Sequence, residues 1–556
     1  MDSLNKIKNS LKEISNDANF SLEMTDNFSH GDYATNIAFV LARQKGVSPK
    51  DLAYEIVKDL ESKLSDTVSK IEVASPGFIN FFLKDEVRTQ EALSCKDKNL
   101  RINILENKKV ICEYTDPNPF KLFHIGHLVP NVIGESLSRI YESVGANVTR
   151  VNYQGDVGMH VATTIWGIKN TGEGLPSEEL SLNEKVAFLG RAYAYGTKEL
   201  GDKPEIKNEI IEINKSVFAK QENEIYDLGR KWSLDYFETV YKKLGTKFDY
   251  YIFESEVAEA GKELVLKNVP NIFEESDGAI VYKGEKVGLH TRVFINKEGL
   301  PTYEAKELGN ALKKEELVPR NDISIVVTAN EINEYFKVIK SALSEINKNL
   351  SDKLKHISHG MLRLPEGKMS SRTGNVIPVE ELIDEVKEKL KDKFEKGRIE
   401  GEDKEKLIND VAVAAIKFSI LKISPGKDIV FDFDKSISFD GDSGPYLQYT
   451  HARLTQLILK CENTEKLNDQ VNKEIELERL INNYKEVLEK SYKENAPQHI
   501  VIYLLNLTRE FNAFYGRVRI IDDNKANVYY IDLCKTTKNV LSFMLNTLGI
   551  VAVEEM

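Results

Sequence analysis

The sequence predicts an α/β protein of several domains: a parallel unit interrupted by a helical insertion, with a small α+β domain before it and an all-α bundle after it. Three observations predict this. A chain of 556 residues exceeds what one core organises and implies about three or four domains. Between residues 110 and 153 a strand, a helix and a second strand follow in turn, the βαβ order of a Rossmann-type domain. Beyond about Glu380 apolar residues recur at helical spacing, as in Leu477 to Leu488 and Ile500 to Phe514.

Each element has a local reason. Residues 1–100 alternate a helical pattern with a short strand, Phe78 to Leu83, and read as the α+β domain. Val110 to Tyr114 is an apolar strand that runs into the turn Pro117-Asn118-Pro119. A helix from about His127 through Val144 follows, then the strand Val148 to Tyr153. Residues 169–248 are mostly helical and charged, as an insertion would be. Strand patterns resume at Ala279 to Tyr282, Thr291 to Ile295 and Ile323 to Thr328. The Rossmann-type unit is therefore placed at 101–168 and 249–378, and the bundle at 379–556. The chain carries no internal repeat and no low-complexity tract.

Composition excludes several classes. With 41% hydrophobic and 29% charged residues this is an ordinary globular chain. The longest apolar run, Val411 to Ile423, is broken by Lys417 and falls short of the ~18 residues a membrane span needs. Met1 to Asn5 lacks the basic and apolar pattern of a secretory leader. Cys95, Cys112, Cys461 and Cys534 show no C-x-x-C spacing, so neither a structural zinc nor a disulfide framework is expected. Cytoplasmic location is the expectation. The net charge of −12 argues against nonspecific nucleic-acid binding but not against one defined RNA met by a local basic groove.

Two motifs carry chemistry. In His124-Ile125-Gly126-His127, a glycine lets backbone approach a flat adenine, and a helix start offers N–H groups and a positive dipole end to phosphate. Its histidines can donate to oxygens that gain charge in a transition state. The same residues could simply cap the helix. A zinc pair is the other bland reading, but no cysteine or acid accompanies them at metal spacing. Far downstream, Gly367 and Gly374 bracket Lys368-Met369-Ser370-Ser371-Arg372. Two cations between glycine hinges suit a leaving pyrophosphate, although basic loops are commonly just solvated. In this order the pair points to ATP-driven activation of a carboxylate.

Around these motifs the chain resembles the class I aminoacyl-tRNA synthetases and, among them, the arginyl-tRNA synthetases. Gly31-Asp32-Tyr33-Ala34-Thr35-Asn36 and Ser75-Pro76-Gly77-Phe78-Ile79-Asn80 resemble signatures of that family's N-terminal domain. Glu113-Tyr114, Pro117-Asn118, Lys121 and His124 to His127 match its active-site run in spacing. Ser443 to Tyr449 with His451-Ala452-Arg453, then Phe511-Asn512 and Phe514-Tyr515, resemble its anticodon-binding domain.

The resemblance implies a catalytic Rossmann-type domain, an N-terminal domain at the tRNA elbow and a helical anticodon-binding bundle. It implies that arginine attacks ATP, accompanied by Mg2+, and that the arginyl group passes to tRNA. It places Glu113, Asn118, His124, Tyr303 and Glu307 at arginine, and His124, Gly126, His127, Met369, Ser370 and Ser371 at ATP. The catalytic set would be Lys121, His124, His127, Lys368 and Arg372. Tyr449, Arg453, Asn512 and Tyr515 would meet tRNA, with Tyr33 and Asn36 as elbow contacts. No resident metal, no membrane partner and a monomer are expected.

The chain also departs from the family. Glu307 stands where the family has aspartate, and Ser371 where it has a second lysine, a loss that Lys121 would offset. Gly155-Asp156-Val157-Gly158-Met159-His160 lacks the family's tryptophan and glutamine. Pro130 falls in the expected first turn of the histidine helix. The family's pocket glutamine has no clear counterpart near Ala329-Asn330-Glu331. A small-molecule nucleotidyltransferase of the same fold would not need the long helical region after Glu380. A synthetase-like protein without activity would have lost His124, His127 or Lys368.

Overall fold

Valine- and isoleucine-rich segments buried on both faces make strands of a parallel sheet, and this chain has five of them in one sheet. Its spatial order is Leu354–His359, Ile323–Ala329, Lys109–Glu113, Asn147–Gln154 and Tyr250–Phe253. The chain starts at the middle strand, Lys109–Glu113, steps outward through two strands, then returns to the other side of the middle. Glu113 lies opposite Val326 on one neighbour and Val151 on the other. The reversal beside Glu113 is a topological switch point, where ligands of open α/β sheets bind. The computed structural model describes residues 2–15, 18–364, 377–394 and 401–556.

The histidine helix, Ile125–Ser143, follows the middle strand and is buried nearly all round. An amphipathic helix covers one face only; one that is apolar all round lies inside. Leu128, Val132, Leu137 and Ile140 belong to the same core as the sheet and the C-terminal helices, and the helix packs against Gly401–Leu421, Tyr484–Glu494 and Val528–Thr547. Because it starts at Ile125, Pro130 is its sixth residue and not part of its first turn. The ring removes the amide that would bond the Gly126 carbonyl.

Helices Leu182–Leu200, Pro204–Phe218 and Glu224–Leu244 occupy the stretch read as an insertion. The strands Ala279–Tyr282 and Arg292–Ile295 do not extend the parallel sheet; with Glu274–Ser276 they form a separate antiparallel one. The N-terminal region has four antiparallel strands where the pattern showed one: Leu22–Met24 and Tyr33–Thr35 are only three residues each, and Ser69, Lys70 and Glu72 break the apolar pattern of Val68–Ala74. The C-terminal bundle also departs from an all-α reading. Short strands Glu465–Leu467, Ile521–Asp522 and Lys525–Asn527 pair there, and Leu362–Arg363 pairs with Ile429–Val430.

The two ends of the chain meet in a buried ion network. Arg88, 0% exposed, places Nε 3.2 Å from Glu478 and Nη1 3.9 Å from Asp32. Arg479 reaches Asp32 at 3.5 Å and donates to the Thr25 carbonyl at 2.8 Å. Both guanidinium groups lie 5.4 Å from the Phe28 ring centroid. Asp32 thus ties the N-terminal sheet to the C-terminal bundle, and its Oδ2, the oxygen that faces Arg88, accepts the Leu83 N–H.

Candidate active site

Beyond Glu113 the chain turns sharply. Thr115 and Asp116 take φ of +85° and +47°, and Phe120 takes +69°, a left-handed conformation that non-glycine residues adopt at a cost of ~1–3 kcal/mol each. Two anchors hold the turn: the Phe120 N–H donates to Ser233 of the insertion, and the Asp116 carboxylate accepts the Tyr153 N–H at 2.9 Å. The turn delivers Asn118, Lys121 and the histidines to the carboxyl end of the sheet. Asn118 Oδ1 rests against Gly155, where a Cβ would fall 2.3 Å from it.

His124 and His127 do cap the helix, and the way they do it leaves them available for chemistry. Nδ1 of His124 accepts the Gly126 N–H at 3.0 Å, and Nδ1 of His127 faces the His124 N–H at 3.3 Å. The rings stack with centroids 3.9 Å apart. Burial, and then the Lys121 charge, brings His124 down to about 4; burial, His124 and Lys121 hold His127 well below the ordinary histidine range. Both rings are therefore neutral, and each carries its proton on Nε2 because Nδ1 is an acceptor. Gly126 has a local reason distinct from adenine approach: a Cβ there would lie 2.8 Å from the His124 ring.

Lys121 supplies the cation of this corner. Among the described residues no carboxylate pairs with it, and its Nζ sits 5.3 Å over the Tyr193 ring of the insertion. Lys368, Met369, Ser370, Ser371 and Arg372 lie outside the described residues. The chain re-enters at Ile377, whose carbonyl accepts the Ile125 N–H at 3.0 Å, while the Val379 N–H donates to the Phe123 carbonyl at 3.1 Å. The segment that follows the second motif is thus pinned to the first.

At the carboxyl end of the middle strand is an acidic pocket. Glu113 is 0% exposed. Its Oε2 takes Lys314 Nζ and Asn310 Nδ2, both at 2.9 Å, while Oε1 is buried and has no partner among the described residues. Asn310 Nδ2 also makes a longer 3.5 Å contact to Glu307. Tyr303 hydrogen-bonds Glu307, and burial, then the Glu113 charge, raises Glu307 to about 8. Desolvation, then Glu113, pushes Asp116 well above the carboxylate range. The Tyr153 hydroxyl is buried nearby and unpartnered. Three acids share one lysine, and burial together with the Glu113 charge keeps Glu307 and Asp116 protonated at neutral pH. A cation with several N–H donors fits this charge and the free Oε1.

Sequence reading missed Asp116, Tyr153, Asn310, Lys314 and Tyr193. A signal existed for two of them, since Asn310 and Lys314 fall three and seven residues after Glu307 on one face of the helix Tyr303–Leu317. The departing motif is also explained in part. Asp156 accepts from Tyr226, Arg230 and Ser255, tying the insertion to the sheet edge. His160 Nε2 lies 3.0 Å from the Gly155 carbonyl.

In the bundle, Arg453 stacks 4.0 Å over Tyr515, and its Nη1 is 3.5 Å from Asn512, which donates to the Tyr446 hydroxyl at 2.9 Å. Tyr449 stands apart from this cluster, 43% exposed, with its edge toward Phe439. Tyr33 is 5% exposed and is a core residue, not an elbow contact. Asn36 accepts the Ser21 N–H at 2.8 Å.

Comparison with known proteins matches three family models along the chain. Residues 88–433 match the family described as tRNA synthetases class I (R), catalytic domain; residues 2–83 match the arginyl tRNA synthetase N terminal domain; residues 447–556 match the DALR anticodon binding domain. The arginine–tRNA ligase of Streptococcus agalactiae is 30% identical over 96% of this chain and 95% of its own. That of Treponema denticola is 29% identical over 96% and 95%. The Thermus thermophilus arginyl-tRNA synthetase structure superposes with a TM-score of 0.82 at 24% identity, covering 100% of this chain and 99% of its own. The Plasmodium falciparum structure gives 0.77 at 20% identity, covering 100% and 98%.

Proposed function

This chain belongs to the arginyl-tRNA synthetases and attaches arginine to tRNA in translation; from that premise we propose that the acidic pocket at Glu113 holds the arginine guanidinium and the paired imidazoles hold ATP. The observation that carries the reading is the pocket's charge: three buried acids, one lysine, and an unpartnered Glu113 Oε1.

Glu113 and Glu307 take the guanidinium, and Asn118 takes the backbone groups of the amino acid. The arginine carboxylate oxygen then attacks the α-phosphorus of ATP, and the bond to the β-phosphate oxygen breaks to release pyrophosphate. The Nε2–H groups of His124 and His127 donate to phosphate oxygens as charge moves onto them. Lys121 supplies one cation, with Lys368 and Arg372 as further cations from the downstream loop. Next a terminal ribose hydroxyl of tRNA attacks the arginyl carbonyl carbon, AMP leaves, and the hydroxyl proton goes to AMP or solvent. The two steps need no nucleophile from the enzyme, so the chemistry rests on placement and charge. Magnesium comes with the nucleotide and is part of the substrate.

Tyr449, Arg453, Asn512 and Tyr515 are proposed to meet the anticodon arm, three of them through the cluster around Arg453. In the same reading the protein acts as a cytoplasmic monomer; among the described residues no helix is long and apolar enough to cross a membrane. The domain limits 1–100, 101–168 with 249–378, 169–248 and 379–556 remain part of this proposal.

The test is a charging assay with ATP, tRNA and each of the twenty amino acids. Only arginine should be attached, and Glu113→Gln should raise the KM for arginine by about tenfold or more. Charging by another amino acid, or an unchanged KM in Glu113→Gln, would sink the pocket assignment.

A further inference from the structure

The acidic pocket contains a group that its proposed substrate does not explain. Lys314 is 4% exposed, on the helix that also carries Tyr303 and Glu307, and its ammonium lies 2.9 Å from Glu113 Oε2. Asn310, one turn earlier, uses its Nδ2 on the same oxygen and reaches Glu307 with it. One oxygen of Glu113 is therefore doubly engaged, while the other has no partner among the described residues. A buried carboxylate with an orphan oxygen is costly unless something fills the place.

Resting on the arginine-pocket reading above, we propose that Lys314 is a positioning residue for arginine: it holds Glu113 by Oε2 and so reserves Oε1 for the guanidinium. Asn310 shares the task. It bridges Glu113 and Glu307 with one nitrogen, much as two nitrogens of a guanidinium would. Because Glu113 offers a single oxygen, the substrate's planar fork must span two carboxylates, one from the strand and one from the helix. A guanidinium can span them, whereas an ammonium is a point donor.

Lys314 also sets the pocket's charge. The charged groups around it are Glu113 from the strand, Asp116 from the turn and Glu307 from its own helix, with Glu315 and its partner Lys353 lining the same small cavity as Lys314. It is the cation nearest to Glu113, and its charge favours the ionised forms of Asp116 and Glu307 as well. Remove it, and Asp116 and Glu307 retain protons to higher pH, which a cationic substrate must then displace.

The experiment compares arginine KM, ATP KM and kcat for charging in the wild type, Lys314→Met, Lys314→Arg, Glu113→Gln and the double variant Lys314→Met/Glu113→Gln, across neutral pH. Lys314→Met should raise the arginine KM about tenfold, leave the ATP KM unchanged, and make arginine KM fall more steeply as pH rises. Lys314→Arg should restore most of the loss. Because Lys314 acts through Glu113, the double variant should be no worse than Glu113→Gln alone. The double variant also lacks the lone buried charge that could keep Lys314→Met from folding.

An arginine KM and pH profile in Lys314→Met equal to wild type, with Glu113→Gln impaired, would overturn the proposal while sparing the pocket. So would losses that add in the double variant, or a Lys314→Arg enzyme as poor as Lys314→Met. An unaffected Glu113→Gln would instead remove the pocket reading on which the proposal rests.

Discussion

The backbone N–H of His124 points at Nδ1 of His127, 3.3 Å away, and the two rings stack behind that contact. Helix capping and nucleotide chemistry are thus two uses of the same residues: Nδ1 serves the backbone and Nε2–H is left for phosphate. Replacing either histidine by alanine should lower adenylate formation by about 10²- to 10³-fold. With His124 at about 4, the ratio of wild-type to variant rates should stay flat as pH falls through the ordinary histidine value near ~6.5. A wild-type acid step at that pH, absent from both variants, would mean that the rings work as imidazolium.

Lys121 is held by an aromatic ring instead of a carboxylate, so its charge is not spent on a neighbour. Lys121→Ala should depress ATP–pyrophosphate exchange by about a hundredfold if it stands in for the lysine replaced by Ser371. Tyr193→Leu, which loosens the cation without removing it, should cost only about two- to fivefold. Equal exchange rates for wild type and Lys121→Ala would remove the compensation argument.

Glu307 makes arginine binding pH-dependent. Its folded value of about 8 stands above the ordinary 4.5, so between those values the free protein holds a proton that the unfolded chain has lost. Stability of the free enzyme should therefore fall as pH rises through that window. A bound guanidinium relieves the repulsion, so arginine should raise the Tm more at pH near 8 than at lower pH, and the arginine KM should decline over the same range. Thermal melts with and without arginine check this; an arginine-induced Tm shift independent of pH contradicts it.

Asp32 joins the N-terminal sheet to the bundle through Arg88 and Arg479. Breaking one member of such a buried network leaves an uncompensated charge and should cost about 3–5 kcal/mol. Asp32→Asn should loosen the N-terminal domain, seen as faster hydrogen exchange and proteolysis before Asp85, while the arginine KM stays as in wild type. Exchange rates identical to wild type would show that the network is not what docks the domain.

Much of this was legible in the chain because the signals are local. The turn Pro117-Asn118-Pro119, the glycine between two histidines, and the valine and isoleucine runs at Val110 and Ile323 each reflect backbone geometry within a few residues. Helical spacing after Glu380 marked the bundle for the same reason. Strands of two or three residues escaped, since so short a run has no period to detect, and Val68–Ala74 escaped because Ser69, Lys70 and Glu72 break its apolar pattern. Pro130 was misplaced by a turn because the His124 cap starts the helix earlier than the apolar pattern does.

The sequence by itself determined the parallel unit, the helical bundle, both motifs and, through its resemblance, the reaction. Only the tertiary structure decided how charge is balanced at the site. Glu113 and Asn310 are 197 residues apart, yet they share a hydrogen bond because the helix Tyr303–Leu317 lays its buried face against the end of the middle strand. Whether a buried acid is ionised depends on what burial strips from it and which cation reaches it. Those are properties of packing in space, and no local pattern encodes them.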